Sequence, residues 1–259
     1  MNGTTTGLGG LGARLWRAAL ELLYPARCAA CDALLEHDGD LFCGPCALTL
    51  APVDCACPRC ARPSPVRIPR PPPCLGCLQR PPRFDAAVAG FEFGGAVAEA
   101  IRNLKWHHMP ELATPLGELA YRALEHAPAG FGAIDLIVPV PLHARRLRKR
   151  EFNQAAELAA ALREAARARN APLGRVALDA RALERTRDTP PQTGLDAAQR
   201  RRNVLDAFRV RRPDDVRGRH VLLVDDVMTT GATADACAAV LSRAGAAAVL
   251  VLTLGRAMP

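Results

Sequence analysis

A chain of 259 residues can hold one large domain or two unequal ones, and it is long enough to bury a core. Hydrophobic residues make up 49% and aromatics only 4%, so that core has to be built from Ala, Leu and Val, which suits helices packed on a parallel sheet. The formal charge of +8 favours polyanionic ligands without demonstrating nucleic-acid binding, and no apolar run approaches the ~18 residues of a membrane span.

Residues 1–12 are rich in Gly and Thr, and the stretch Leu11 to Leu23 is broken by Arg14, Arg17 and Glu21. Its spacing predicts a short amphipathic helix that packs on the protein, and it lacks a secretory-signal pattern, so a cytoplasmic location is expected. Nine of the ten cysteines then fall between Cys28 and Cys77. Eight of them form four C-x-x-C pairs: Cys28/Cys31, Cys43/Cys46, Cys57/Cys60 and Cys74/Cys77. Two residues between thiolates let both sulfurs reach one ion, and two such knuckles complete the tetrahedral set of structural zinc. Sequential pairing places Cys28, Cys31, Cys43 and Cys46 on one ion and Cys57, Cys60, Cys74 and Cys77 on another; interleaved pairing is also compatible with the spacing. Disulfides and redox chemistry are the competitors, disfavoured in a cytosolic chain with no βαβ pattern around the pairs. No ligand position is left for water, so zinc here would stabilise a small coreless module. Cys55 is spare. The proline-dense run from Arg62 to Pro73 reads as an extended loop, and Pro81-Pro82 closes the module. The expected units are residues 20–83 and 84–259.

Alternation from Phe84 to Phe93 predicts a strand. Val97, Ile101 and Leu104 mark one helix, and Leu112, Leu116, Leu119, Ala123 and Leu124 a second. His107 and His108, adjacent in sequence, would point about 100° apart on a helix and make a poor chelating pair. Ile134 to Pro141 is a buried strand stopped by prolines. Five basic residues within the six positions 145–150 follow, and then a long helix through Ala155, Leu158, Ala159, Leu162 and Ala166. Two segments are not required by any helix or strand: Pro139 to Gln154, and Arg185 to Leu195 followed by Arg200 to Asn203. Val221 to Val224 reads as a strand covered on both faces, with Asp225 and Asp226 just past its carboxyl end. Thr229, Thr230, Gly231, Ala232 and Thr233 form a hydroxyl-rich turn into a helix marked by Ala234, Cys237, Ala238 and Leu241, whose free N–H groups would face an anion. Cys237 is expected to pack as a small apolar residue. Ala248 to Leu254 is the last strand. Strands alternating with helices predict an α/β fold with a parallel sheet flanked by helices. No G-x-x-x-x-G-K-[ST] occurs, which excludes a P-loop.

The run Val221 to Thr233 resembles the signature of type I phosphoribosyltransferases, which bind PRPP (5-phosphoribosyl-1-pyrophosphate). That resemblance implies the type I phosphoribosyltransferase fold, with Asp225 and Asp226 on the ribose diol and Thr229 to Thr233 on the 5′-phosphate. With the cysteine knuckles, Pro139-Val140-Pro141-Leu142, Phe152-Asn153-Gln154, Arg187-Asp188-Thr189-Pro190-Pro191-Gln192 and Arg200-Arg201-Arg202-Asn203, the chain resembles the ComF family of competence-associated phosphoribosyltransferase-like proteins, which includes GntX. Glu151 stands where that family commonly has glycine. The resemblance implies a small N-terminal double zinc ribbon, a loop after Val138 facing pyrophosphate, and a mobile hood from Arg187 to Asn203. It further implies magnesium held largely by substrate oxygens, and leaving-group neutralisation by Arg187 and Arg202. Lys105 approaches the site on the same grounds.

Three functions follow from the resemblance. One is a phosphoribosyltransferase using PRPP and an unidentified nucleophile, linked to DNA uptake and natural transformation. Another is a single-stranded-DNA-binding accessory protein working with competence or recombination proteins, although few aromatics are present to stack bases. A third is a PRPP or nucleotide sensor without transferase activity.

Overall fold

The apolar runs expected inside a doubly covered sheet are there because each strand offers both faces to helices. A computed structural model describes residues 25–37, 39–68, 71–106, 109–125, 127, 134–190 and 196–258. The helix expected over residues 11–23 and the His107–His108 pair lie outside the described residues.

In chain order the described elements begin with two short helices in the cysteine-rich segment, α1 (Gly44–Ala47) and α2 (Leu75–Gln79). Next come β1 (Ala86–Glu92), α3 (Gly95–Trp106), α4 (Ala113–Glu125), β2 (Leu136–Pro139), α5 (Ala144–Arg150), α6 (Gln154–Ala168) and β3 (Ala177–Leu178). The chain continues through β4 (Leu183–Arg185), α7 (Ala197–Val204), β5 (Phe208–Val210), β6 (His220–Met228), α8 (Ala232–Arg243) and β7 (Ala248–Arg256).

Five strands form one sheet in the order β1-β7-β6-β2-β3, with every pairing parallel. Alternation along β6 sends Leu222 and Val224 into a core with Ile101 and Leu104 of α3, Leu116 of α4 and Leu158 and Leu162 of α6. Val221 and Leu223 go to the opposite core, with Cys237, Ala238 and Leu241 of α8. Cys237 is thus the small apolar residue expected. Helices α4 and α6 approach so closely at Gly117 that a Cβ there would collide with Ala161.

Strand β6 runs further than its apolar residues suggested. Pro139 ends β2 opposite Val224, but β7 continues to Arg256 and keeps β6 paired through Asp225 to Met228. The two acids therefore lie beyond the end of β2 yet inside β6. The cysteine-rich segment is coreless, as expected: among the described residues, Cys28, Ala29 and Phe42 join the core under α3, and Ala61 joins the core under α8. Its linker also borders the sheet, since Ala51 and Val53 exchange backbone hydrogen bonds with Glu92 (2.8 Å) and Gly90 (3.0 Å), setting Pro52 antiparallel to Phe91 on the outer edge of β1.

A separate antiparallel pair, β4 with β5, carries α7. Asp196 and Gln199 close a capping box at the start of α7. Among the described residues, no helix is long and apolar enough to cross a membrane.

Candidate functional site

The cysteines gather as two sets, Cys28, Cys31, Cys43 and Cys46, and Cys57, Cys60, Cys74 and Cys77, with the sulfurs of each set within 4.8 Å of one another. Sequential pairing is therefore the arrangement found. None of these cysteines is in a disulfide. Sulfur separations of 3.6 Å between Cys31 and Cys43 and 3.7 Å between Cys60 and Cys74 match the edge of about 3.8 Å expected for a tetrahedron with zinc–sulfur bonds of about 2.3 Å.

The two sets are built alike. Each first knuckle is closed by an antiparallel bridge, Arg27 to Leu34 and Ala56 to Pro63. Each second pair opens a short helix, with Cys43 capping α1 and Cys74 capping α2. Crowding sets the thiols against one another: the Cys60 hydrogen bond draws Cys57 down to about 4, while burial pushes Cys77 up to about 12. A divalent cation lets all four ionise, so both sets fit structural zinc. Cys55 lies outside them and donates to the carbonyls of Val66 and Ile68.

The second constellation lines a cavity of about 390 Å³ at the carboxyl ends of β2 and β6. Asp225, Asp226, Thr229, Gly231, Ala232 and Thr233 all line it. Gly231 takes φ +80°, a left-handed turn that glycine adopts without strain, and caps the start of α8. Thr230 turns back instead: its hydroxyl accepts from the Ala232 N–H at 3.4 Å. Each acid also braces the backbone, Asp225 Oδ1 accepting the Asp226 N–H at 2.9 Å and Asp226 Oδ1 the Val227 N–H at 2.8 Å.

Lys105, Arg146, Arg150, Arg185 and Arg200 line the same cavity against only two carboxylates. Such an imbalance favours a ligand that is itself anionic. Lys105, at the end of α3, forms an ion pair with Asp226. Burial lowers the Lys105 ammonium to about 8, against the attraction of Asp225. Burial raises the Asp225 carboxyl to about 6, against the pull of Lys105 and Arg185. Arg185 reaches in from β4, bonded to the Thr189 hydroxyl with its guanidinium 5.4 Å from the Phe208 ring, and burial lowers its pKa as well. Arg150 packs over Trp106 at 4.2 Å and donates to Gln154 at 3.1 Å. Three buried atoms of the lining have no hydrogen-bond partner among the described residues: Arg185 Nε, Thr253 Oγ1 and Asp226 Oδ2, the last held in the ion pair with Lys105; such a wall suits a polar ligand.

Arg187 and Arg202 are not brought into this cavity. Arg187 donates to the Leu205 carbonyl at 2.6 Å, and Arg202 is exposed on α7. Arg146, Arg150, Arg185, Arg200 and Gln154 take the lining positions instead. Arg185 opens the polar segment marked in the sequence, but nothing there singles it out as the arginine that turns inward: it faces the charge of Asp225 and packs on Phe208, both distant along the chain. The α5–α6 turn was better marked: Asn153 caps α6 with its carbonyl oxygen while its amide donates to Val140 at 3.1 Å.

No family model matches the chain. Among known proteins, the DNA utilization protein YhgH of Escherichia coli K12 is 35% identical over 244 residues, which cover 92% of this chain and 100% of that protein. Its Salmonella typhi counterpart is 34% identical over the same shares. Competence protein F of Haemophilus influenzae is 29% identical over 187 residues, 71% of this chain and 78% of that protein. The chain belongs to the ComF family.

Among solved structures, the allosteric regulatory enzyme of purine biosynthesis aligns with 55% of this ComF-family chain at 20% identity and a TM-score of 0.33, and the alignment spans 26% of that protein's length. The family's usual glycine before Phe152 also acquires a reason. Glu151 ends α5 at φ +68°, in the left-handed region where glycine sits without strain.

Proposed function

We propose that this ComF-family protein binds PRPP with magnesium in the cavity at the carboxyl ends of β2 and β6, and serves DNA uptake and natural transformation. The observation that carries the reading is a convergence. An acid pair, a hydroxyl-bearing turn opening α8, and five cationic side chains all line one cavity at the place where parallel sheets bind ligands. Asp225 and Asp226 would take the ribose diol. Thr229 and Thr233, with the N–H groups at the start of α8, would take the 5′-phosphate. Lys105, Arg146, Arg150, Arg185 and Arg200 would face the pyrophosphate. Carboxylate oxygens suit magnesium, which when bound supplies charge neutralisation to the pyrophosphate.

In a transferase reaction the bond from the anomeric carbon to pyrophosphate breaks, its electron pair leaves with pyrophosphate, and a nucleophile bonds to that carbon. The protein's share is charge placement and exclusion of water, with α7 and the β4–β5 pair as the hood. The two four-cysteine sets would hold structural zinc. The names of the relatives, DNA utilization and competence, support the biological setting.

Titration calorimetry of PRPP with magnesium tests the reading, on the wild type and on Asp225→Asn/Asp226→Asn. Heat from the wild type and none from the double variant is expected; no heat from the wild type sinks it. Release of pyrophosphate across a panel of bases and amines separates a transferase from a sensor.

A specific observation favours a second reading, direct contact with single-stranded DNA. Arg145, Arg148 and Lys149 of α5 and Arg202 of α7 are exposed, beside a cavity that Arg146, Arg150 and Arg200 of the same helices line. Steep loss of DNA affinity with rising salt is its signature.

A further inference from the structure

The strongest unassigned feature is Arg256, the last residue of β7. It is 2% exposed and lines no part of the cavity, and the guanidinium bonds recorded for it all go to backbone carbonyls. Its Nε donates to Cys60 at 2.9 Å. Its Nη1 donates to Met228 at 3.1 Å, to Thr229 and to Ala257 at 2.7 Å. One planar group therefore grips a knuckle of the second cysteine set on one side and the start of the hydroxyl turn on the other.

Peptide stereochemistry gives this grip a consequence. In a trans peptide the carbonyl and the N–H point opposite ways. Holding the Met228 and Thr229 carbonyls on Arg256 turns the N–H groups of Thr229 and Thr230 away from the ribbon. A second tether acts nearby: the Arg83 N–H, just after the second cysteine set, donates to Asp235 in the first turn of α8 at 2.7 Å. Among the described residues, the first cysteine set has no such link. Its contacts run to α3, where Asn103 donates to the Ala29 carbonyl at 2.8 Å and Thr49 accepts from Ala96 at 2.8 Å.

We propose that Arg256 is a positioning residue that couples the second ribbon to the phosphate turn, so that the ion held by Cys57, Cys60, Cys74 and Cys77 and the anion held at Thr229 to Thr233 stabilise one another. This rests on the reading of that turn as a phosphate site. Coupling of this kind is reciprocal. Ligand must tighten the hold on the second zinc, read as slower release, and loosening the ribbon must weaken the ligand. Lysine keeps the charge but lacks the fork that spans several carbonyls, so Arg256→Lys removes the coupling with little change in net charge.

The experiment uses the full chain loaded with two zinc ions. Zinc release into excess chelator is followed with and without PRPP and magnesium, and the two release phases are assigned with Cys31→Ser and Cys60→Ser. In the wild type, PRPP is expected to slow the second-ribbon phase at least fivefold and leave the first unchanged. In Arg256→Lys that phase should quicken, its protection by PRPP should vanish, and the PRPP Kd should rise at least tenfold while the protein still melts cooperatively. Arg256→Met repeats the test without the charge; should it fail to fold, Arg256→Lys decides alone. Wild-type release rates and an unchanged Kd in Arg256→Lys overturn the proposal, as does equal protection of both ions. No PRPP binding by the wild type overturns the functional reading. In that case faster loss of the second zinc alone in Arg256→Lys still supports the ribbon link, and unchanged release sinks it.

Discussion

The two cysteine sets share a plan and differ in what they hold. Each has a bridged knuckle, a capped short helix and sulfurs at tetrahedral spacing. The first rests on α3, the helix that ends in Lys105, and places Cys28, Ala29 and Phe42 in the core there. The second reaches the opposite core through Ala61 and meets the hydroxyl turn through Arg256. Duplicated metal modules thus back two different walls of one cavity. A ribbon that lacks a core of its own borrows one from the sheet.

The largest expected effect comes from breaking each module in turn. Cys28→Ser and Cys57→Ser should each lose one zinc equivalent by elemental analysis, and each should lower the melting temperature by many degrees, because structural zinc binding is folding free energy. Only Cys57→Ser should also cut PRPP affinity tenfold or more; equal losses in the two variants would erase the contrast.

Next in size is Lys105→Met, which strands Asp226. A destabilisation of about 3 kcal/mol is expected in urea unfolding, at the low end for a broken buried pair because the cavity opens to solvent.

Smaller again is the response to pH. Asp225 is raised from 3.8 to about 6, so a ligand that needs its carboxylate should bind about tenfold more weakly per pH unit below about 6, measured by calorimetry between pH 5 and 7. The sign for the ligand-free fold is the reverse. An acid with a raised pKa contributes stability that is complete below 3.8 and lost as pH rises through about 6. Ligand affinity and the Asp225 contribution to stability should therefore move in opposite directions over this range.

The smallest effect belongs to Asn103→Ala, which removes one contact of the first ribbon. About 1 kcal/mol of stability should go, with PRPP affinity unchanged. A loss of affinity would mean that the first ribbon also reaches the site.

Legibility along the chain followed contiguity. Asp225 to Thr233 occupies one stretch, and the C-x-x-C pairs announce their chemistry by spacing, so both could be read without a fold. Strand and helix positions followed from periodicity, and their ends moved where a neighbour decided them: Pro139 ended β2 early, while pairing with β7 carried β6 through its acids. The cationic wall was harder because Lys105, Arg146, Arg150, Arg185 and Arg200 come from four elements spread along a chain with many arginines. Arg187 and Arg202 sit near Arg185 and Arg200 in sequence, yet strand and helix geometry point their side chains elsewhere. Arg256 was out of reach for the same reason, since it closes a strand and looks like a charged end at the surface.

The Ala51–Pro52–Val53 linker along β1 has a consequence for how copies of this protein meet. An open outer strand invites another chain to zip onto it, and β1 is such a strand. The linker takes hydrogen-bonding positions at Gly90 and Glu92 and sets there a proline, which has no N–H to offer. Releasing the ribbons would uncover this seam, so metal loss should show first as concentration-dependent aggregation.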